Sequence, residues 1–348
     1  MTLTSEIIKK RARDLGADVV GIGNIERWEG SPLQMDPRQV MPEARSVIGL
    51  VFRVCRGSLR GIEEGTFFSN YSSMGYGGIT YLFMPMVVMN LARFIEDDGY
   101  EAIPYGHQSD WRAIDNEGAM RPNYSIPVAP GRAAPDVMVQ LRIAAFLCGL
   151  GEIGFSKMFL SPQFGPRNRV GIIITEAELE PDPLYDGPPL CDRCMRCVKE
   201  CPSGALKANK TVKVNLAGRE VEWTDIDCKA CDTGFRGGQA AQEDLAGKGS
   251  YMEGPMYGKW LKPGWWSPFF RKPSNLYNTG QAVCGARGCT RACTVSLEER
   301  GVLQNKFHKP FRRQAPWRVD WSNTDWKAKS TYDPVTGAVS AETWQIVL

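Results

Sequence analysis

The chain has 348 residues, 43% of them apolar and 23% charged, with a net charge of +3. That length can bury a large core or divide into one large and one small domain. So weak a positive charge, with no block of Lys and Arg, argues against a nucleic-acid or anionic-lipid surface, so nucleic acid is not an expected partner.

The opening stretch MTLTSEIIKKRARDLGADVVGIG puts charges where a secretory leader has its apolar segment and lacks a twin-Arg pair, so a cytoplasmic location is expected. Glu6 to Leu15 has the spacing of an amphipathic helix, and Asp18 to Ile22 and Ser46 to Val54 are expected as strands. Tyr81 to Asp97 is expected as a mostly buried helix that ends near Gly99. Its apolar run is broken by Pro85, Asn90 and Arg93 and is too short and too polar for a membrane span. Glu101 to Pro104 is a short strand candidate. Residues 105–135 form a long polar loop, a kind of segment that is often functional.

Asp136 to Cys148 is expected as a second buried helix, followed by a Gly-rich turn from Gly149 to Gly154 and a buried strand from Val170 to Thr175. The turn matches G-x-G-x-x-G, but a helix-like segment precedes it and Pro162 follows soon after. A dinucleotide site needs a strand before the glycines and a helix after them. The glycines then mean a tight turn, or backbone lying close to something bulky. After Pro181 the composition shifts to Pro, Gly and Cys. The expected organisation is a first domain over 1–185, a cysteine module over 186–300 and a tail over 301–348 that packs back on the first domain.

Nine of the eleven cysteines fall between Cys191 and Cys293. In a cytosolic chain that clustering points to metal rather than to disulfides. Cys191-x2-Cys194-x2-Cys197-x3-Cys201-Pro202 has the spacing of a [4Fe–4S] ligand run, in which three thiolates hold one cube and the fourth reaches a neighbouring cluster. Zinc ribbons use two separated C-x-x-C knuckles instead. Two clusters are therefore expected. Crossing of the last cysteines gives Cys191, Cys194, Cys197 and Cys293 for one cube. The other takes Cys201, Cys284, Cys289 and either Cys228 or Cys231. The second run, Cys284-x4-Cys289-x3-Cys293-Thr294, departs from the usual spacing. Cys55 and Cys148 are expected as small core residues.

The stretch GLGEIGFSKMFLSPQFGPRNRVGIIITEAELEPDP, followed by CDRCMRCVKECPSGAL, resembles the corrinoid-dependent reductive dehalogenases. It resembles their relatives, the epoxyqueuosine reductases, a little less. The likeness runs over roughly residues 1–300, with gaps around 105–135 and 232–283. It implies an α+β fold, a nitroreductase-like core that holds cobalamin base-off, with a ferredoxin-like module carrying the two [4Fe–4S] clusters. Its implied partners are a small organic substrate and an external electron donor such as ferredoxin or flavodoxin. By the same resemblance, Cys231 within Ile226-Asp227-x3-Cys231 is the isolated cluster ligand. Gly149, Gly151 and Gly154 lie against the corrinoid, Tyr81 is the proton donor and Arg169 is a basic residue near substrate. Asp136 is a polar active-site residue that is an acid in the epoxyqueuosine branch. Neither histidine, His107 or His308, sits in D-x-H-x-x-G, which agrees with a cobalt lacking a His ligand. The expected activity is dehalogenase-like reduction. The rivals are epoxyqueuosine reduction on tRNA, for which residues 301–348 are short of the helical-repeat extension, and a plain iron–sulfur carrier.

Overall fold

The computed structural model describes residues 3–64, 66–67, 70–107, 126–135, 137–235 and 283–311. At its centre is a four-stranded antiparallel sheet in the order β1-β2-β6-β3. Its strands are β1 (Val19–Asn24), β2 (Ser46–Arg53), β3 (Ala102–Tyr105) and β6 (Asn168–Thr175). The long Val/Ile runs of β2 and β6 lie side by side from Ser46↔Thr175 to Arg53↔Asn168. Both faces of the sheet are covered, which is why these strands are apolar without alternation. Successive side chains still point to opposite sides. Val47, Val51, Ile172 and Ile174 pack under helix α4 (Leu141–Leu147). Ile48, Leu50, Phe52 and Ile173 pack under α1 (Ser5–Leu15) and α3 (Met84–Glu96). Gly49 lets α4 come close, since a Cβ there would sit 2.7 Å from Leu150 and 3.0 Å from Cys148.

Helix α1 is closed at both ends by its own sequence. The Thr4 hydroxyl accepts the Ile7 N–H at 3.3 Å, and Gly16 takes the left-handed conformation at φ 116°. The helical run that ends in α3 begins ten residues earlier than the apolar pattern shows. A π-helical segment, Tyr71–Phe83, runs straight into α3, and Pro85 sits in its first turn, where no N–H is needed. Gly75, Gly77 and Gly78 are poor helix formers and hide the wide-wound part from sequence pattern. Tyr71–Glu96 is, among the described residues, the helical stretch long and apolar enough to cross a membrane by length and composition. Its Val87, Val88, Leu91 and Ile95 are nevertheless buried in the core against the sheet.

Helix α4 starts later than expected. The Gln140 side chain caps it by accepting the Arg142 N–H at 3.1 Å. The residues before it stay non-helical because the Tyr105 hydroxyl donates to the Val137 carbonyl and accepts the Val139 N–H, both at 3.0 Å. Asp136 lies outside the described residues. The Gly-rich turn leads into the hairpin β4–β5 (Glu152–Ile153 and Phe159–Leu160). A second hairpin, β7–β8 (Thr211–Leu216 and Arg219–Thr224), stands inside the cysteine region. Ala217 and Gly218 both take positive φ, as a tight hairpin turn demands. Trp223 of β8 is buried in the core that α4 shares with the sheet, so this hairpin ties the cysteine region to the first domain.

Two buried arginines complete that attachment. Helix α2 (Arg60–Glu64) brings Glu63, and helix α8 (Cys289–Glu299) brings Arg291. Arg291 pairs with Glu63 and, at 2.8 Å, with Glu200. Burial opposes the guanidinium charge, and the two carboxylates more than reverse this, so its pKa is raised. Arg167 donates to the Val54 carbonyl at 2.9 Å and to Asn305 Oδ1 at 3.1 Å, with burial pushing its pKa down to about 10. Residues 301–311 thereby lie against the first domain, and 312–348 lie outside the described residues. Replacing Arg291 by Met should strand Glu63 in the interior and destabilise the fold by about 3–5 kcal/mol. Anaerobic thermal unfolding checks this, and a midpoint equal to wild type would show that the pair does not hold the domains together.

Candidate functional site

The first cysteine run is wound by its backbone before any metal is considered. Arg193 and Met195 take left-handed φ of 54° and 58°, which curls the loop, and α5 (Arg196–Lys199) follows with Cys197 inside it. Cys289 and Cys293 stand four residues apart on α8, on one face of that helix. Burial pushes the Cys293 thiol well up, and Cys191, Cys197 and Cys194 raise it further. Burial raises Cys289 to about 12, with Cys201 and Cys231 the next causes. Cys197 is raised to about 11 by burial, then by Cys191 and Cys194. The thiols thus fall into two adjoining neighbourhoods, with Cys197 also raising Cys289 and Cys289 also raising Cys293. One is Cys191, Cys194, Cys197 and Cys293. The other holds Cys201, Cys231 and Cys289. Cys284 joins the second at the cavity wall described below. Among the described residues no three His, Cys, Asp or Glu side chains are close enough together to hold a single metal ion.

Neighbouring groups fix these sulfurs. The Phe155 N–H donates to Cys191 Sγ at 3.3 Å, and the Glu152 carboxylate accepts the Cys191 N–H. Burial raises the Glu152 pKa. The Cys228 thiol donates to the Ile226 carbonyl at 3.5 Å. Cys148 is a core residue, with its thiol 3.2 Å from the Val47 carbonyl and raised to about 12 by burial. Cys55 is exposed, against the expectation of a core residue, because β2 ends at Arg53 and the chain turns outward there.

Between the sheet and the second cysteine group lies a cavity with about 1440 Å³ of empty space, the solvent at its mouth included. The π-helical segment supplies Tyr71, Tyr76 and Thr80, and α3 supplies Met84. Steps of five, four and four residues put these on one side of a helix that starts with π winding; an α-helical period does not reveal them. The start of β6 supplies Asn168, Arg169 and Val170, the end of β3 leads to His107, and Gln140 to Arg142 close one side. Cys231, Cys284 and Cys289 form part of the far wall.

Arg169 lines this cavity. Its guanidinium donates to the Tyr71 hydroxyl at 3.1 Å and to the Asn168 carbonyl at 3.2 Å, and lies 5.3 Å from the centre of the Tyr76 ring. Tyr81 stands one layer back: its hydroxyl is 3.0 Å from that of Tyr76, and its ring meets Tyr76 and His107 edge-on. Tyr71, Tyr76 and Tyr105 line the cavity wall, and Tyr81 reaches it through the Tyr76 hydroxyl. Gly149, Gly151 and Gly154 do not line it. A Cβ on Gly149 or Gly151 would strike the Pro183 or Leu160 carbonyl, and one on Gly154 would lie 2.9 Å from the Leu160 side chain. The protein's own chain fills the close approach that these glycines permit.

No protein-family profile matches the chain. It is 28% identical over 232 residues to a tetrachloroethene reductive dehalogenase of Desulfitobacterium hafniense, covering 60% of this chain and 40% of that protein. It is 27% identical over 235 residues to an epoxyqueuosine reductase of Gloeobacter violaceus, covering 59% of this chain and 62% of that one. The chain thus spans less than two thirds of these relatives. Among solved structures, one of a reductive dehalogenase aligns with 99% of this chain and 46% of its own, at TM-score 0.45 and 17% identity. An epoxyqueuosine reductase from Streptococcus thermophilus aligns at TM-score 0.43 and 14% identity, over 85% of this chain and 80% of its own. The two sets of curated relatives support a place for the chain in the superfamily that contains the reductive dehalogenases and the epoxyqueuosine reductases.

Proposed function

We propose that this chain is a reductase of the dehalogenase type, with two [4Fe–4S] clusters leading to a corrinoid in the cavity. The observation that carries this reading is the position of the second cysteine group. Cys231, Cys284 and Cys289 stand on the wall of the same cavity that holds Arg169 and Tyr76. Electrons arriving at those thiols would be delivered where a proton and a cation are already in place.

The donor set fits iron–sulfur clusters. Buried thiols that crowd one another are held neutral, as the raised values of Cys197, Cys289 and Cys293 indicate. Coordinated iron reverses this, since a metal deprotonates its thiol ligand outright. Cys191, Cys194, Cys197 and Cys293 would hold one cluster, and Cys201, Cys231, Cys284 and Cys289 the other. The cavity suits a corrinoid in its largely apolar wall and its contact with the second thiol group. The three glycines of the turn take no part in this proposal. Bound there, a corrinoid supplies a low-valent cobalt reductant and the clusters supply single electrons.

The chain's own part is then proton, charge and position. Replacing a carbon–halogen bond by carbon–hydrogen consumes two electrons and one proton and releases halide. Tyr76 would give the proton at its hydroxyl and recover one through Tyr81, 3.0 Å behind it. Arg169, anchored on Tyr71, would offset the negative charge that develops as halide leaves. A cytoplasmic enzyme fed by a soluble carrier such as ferredoxin or flavodoxin completes the proposal. An epoxyqueuosine-type activity remains the second reading because the Gloeobacter relative matches nearly as well. In that case the substrate would be a modified tRNA.

The direct test is the visible spectrum of anaerobically purified protein reconstituted with cobalamin. The base-off absorption is expected, and its absence would favour a carrier without corrinoid. In the same preparation Tyr76→Phe should keep cluster and corrinoid spectra and lower halide release by roughly 10²–10⁴. Unchanged halide release would remove Tyr76 from the chemistry. For the cluster ligands, Cys231→Ala should lose or convert one cluster in paramagnetic resonance spectra, whereas Cys228→Ala should keep both. The reverse outcome would assign the isolated ligand to Cys228.

A further inference from the structure

The cavity carries polar groups that the chain itself leaves unused. Thr80 is 3% exposed and lines the cavity, and its hydroxyl has no hydrogen-bond partner. Arg169 Nε, in the same wall, is likewise buried and unpartnered, although the rest of its guanidinium is engaged. A buried hydroxyl without a partner is unfavourable unless a ligand satisfies it. The charge of the wall is one-sided. Arg142 and Arg169 line the cavity, and no Asp or Glu does among the described residues. Around these groups the wall is apolar and aromatic, with Met84, Phe159 and Val170.

We propose that Thr80 and Arg169 form a subsite for an anionic oxygen, so that the substrate is a small apolar molecule bearing a carboxylate or phenolate. This rests on the reading of the cavity as the reaction site, and it makes Thr80 a specificity residue. A hydroxyl donor and a guanidinium N–H satisfy an oxygen anion, while the apolar wall holds the body of the molecule. A neutral molecule of the same shape can accept a hydrogen bond but offers the guanidinium no anion, so it binds more weakly. Thr80 follows Tyr76 by four residues on the same side of the helix, which sets the anion next to the proposed proton donor.

Anaerobic calorimetric titration of the cluster- and corrinoid-loaded chain with benzoate, and with benzamide as its neutral counterpart, tests this. Benzoate should bind more tightly than benzamide. Thr80→Val should weaken benzoate by about 10- to 150-fold, the worth of a hydrogen bond to a charged group. It should weaken benzamide less, and should not lower the thermal midpoint, since it removes a hydroxyl that the free protein does not satisfy. Thr80→Ser, which keeps the hydroxyl, should bind benzoate like wild type, and Arg169→Gln should abolish the preference for the anion. Equal binding of benzoate and benzamide, or a Thr80→Val affinity within twofold of wild type, would overturn the subsite. A sample that shows no corrinoid absorption yet prefers benzoate would instead sink the catalytic reading and leave the anion site standing.

Discussion

The structure depends on holding a set of partly buried thiols close to one another, where each opposes its neighbours' ionisation. Cys293 has four other cysteines as the next causes of its raised pKa after burial, and Cys289 has three. Free thiols packed this way gain little, since each is a small hydrophobe whose ionisation its neighbours oppose. Under the proposed reading the arrangement is a ligand cage, in which iron would supply the missing positive charge.

The first domain provides the rigid side. Its sheet is covered on both faces, so β2 and β6 cannot shift register without driving side chains from one core into the other. From that fixed frame, Phe155 and Glu152 of the β4–β5 hairpin region reach Cys191, while Trp223 of β8 and the Glu63–Arg291–Glu200 triad bind the cysteine region down. A buried ion triad is a costly way to gain stability, because desolvation offsets most of the attraction. Its use here fits a need for position: Arg291 lies between Cys289 and Cys293, and Glu200 precedes Cys201.

What the sequence makes legible follows from how local its causes are. Strands β2 and β6 are visible in their Val and Ile runs, and α1 in Thr4, Gly16 and its apolar spacing. Hairpin β7–β8 was readable in the alternation TVKVNL and the Ala217-Gly218 turn, although the density of cysteines around it masks the pattern. Other features are set from a distance. The delayed start of α4 comes from the Tyr105 hydroxyl, more than thirty residues away in sequence. The π winding that brings Tyr71 and Tyr76 to the cavity has no period of its own to detect, so attention falls on Tyr81, where an ordinary helical pattern begins. The turn at Gly149 reads as room for a bulky ligand, yet the Pro183 and Leu160 carbonyls take that room. The grouping of the cysteines stands between these cases: spacing gives the first run, whereas Cys231 and not Cys228 lines the cavity beside Cys284 and Cys289, a placement no spacing rule reveals.

The account stands most directly on the metal content of the chain. Iron and acid-labile sulfide measured on protein purified without oxygen should each come to about eight per chain, the content of two [4Fe–4S] clusters. Values near four, or zinc in place of iron, would contradict a two-cluster path to the cavity.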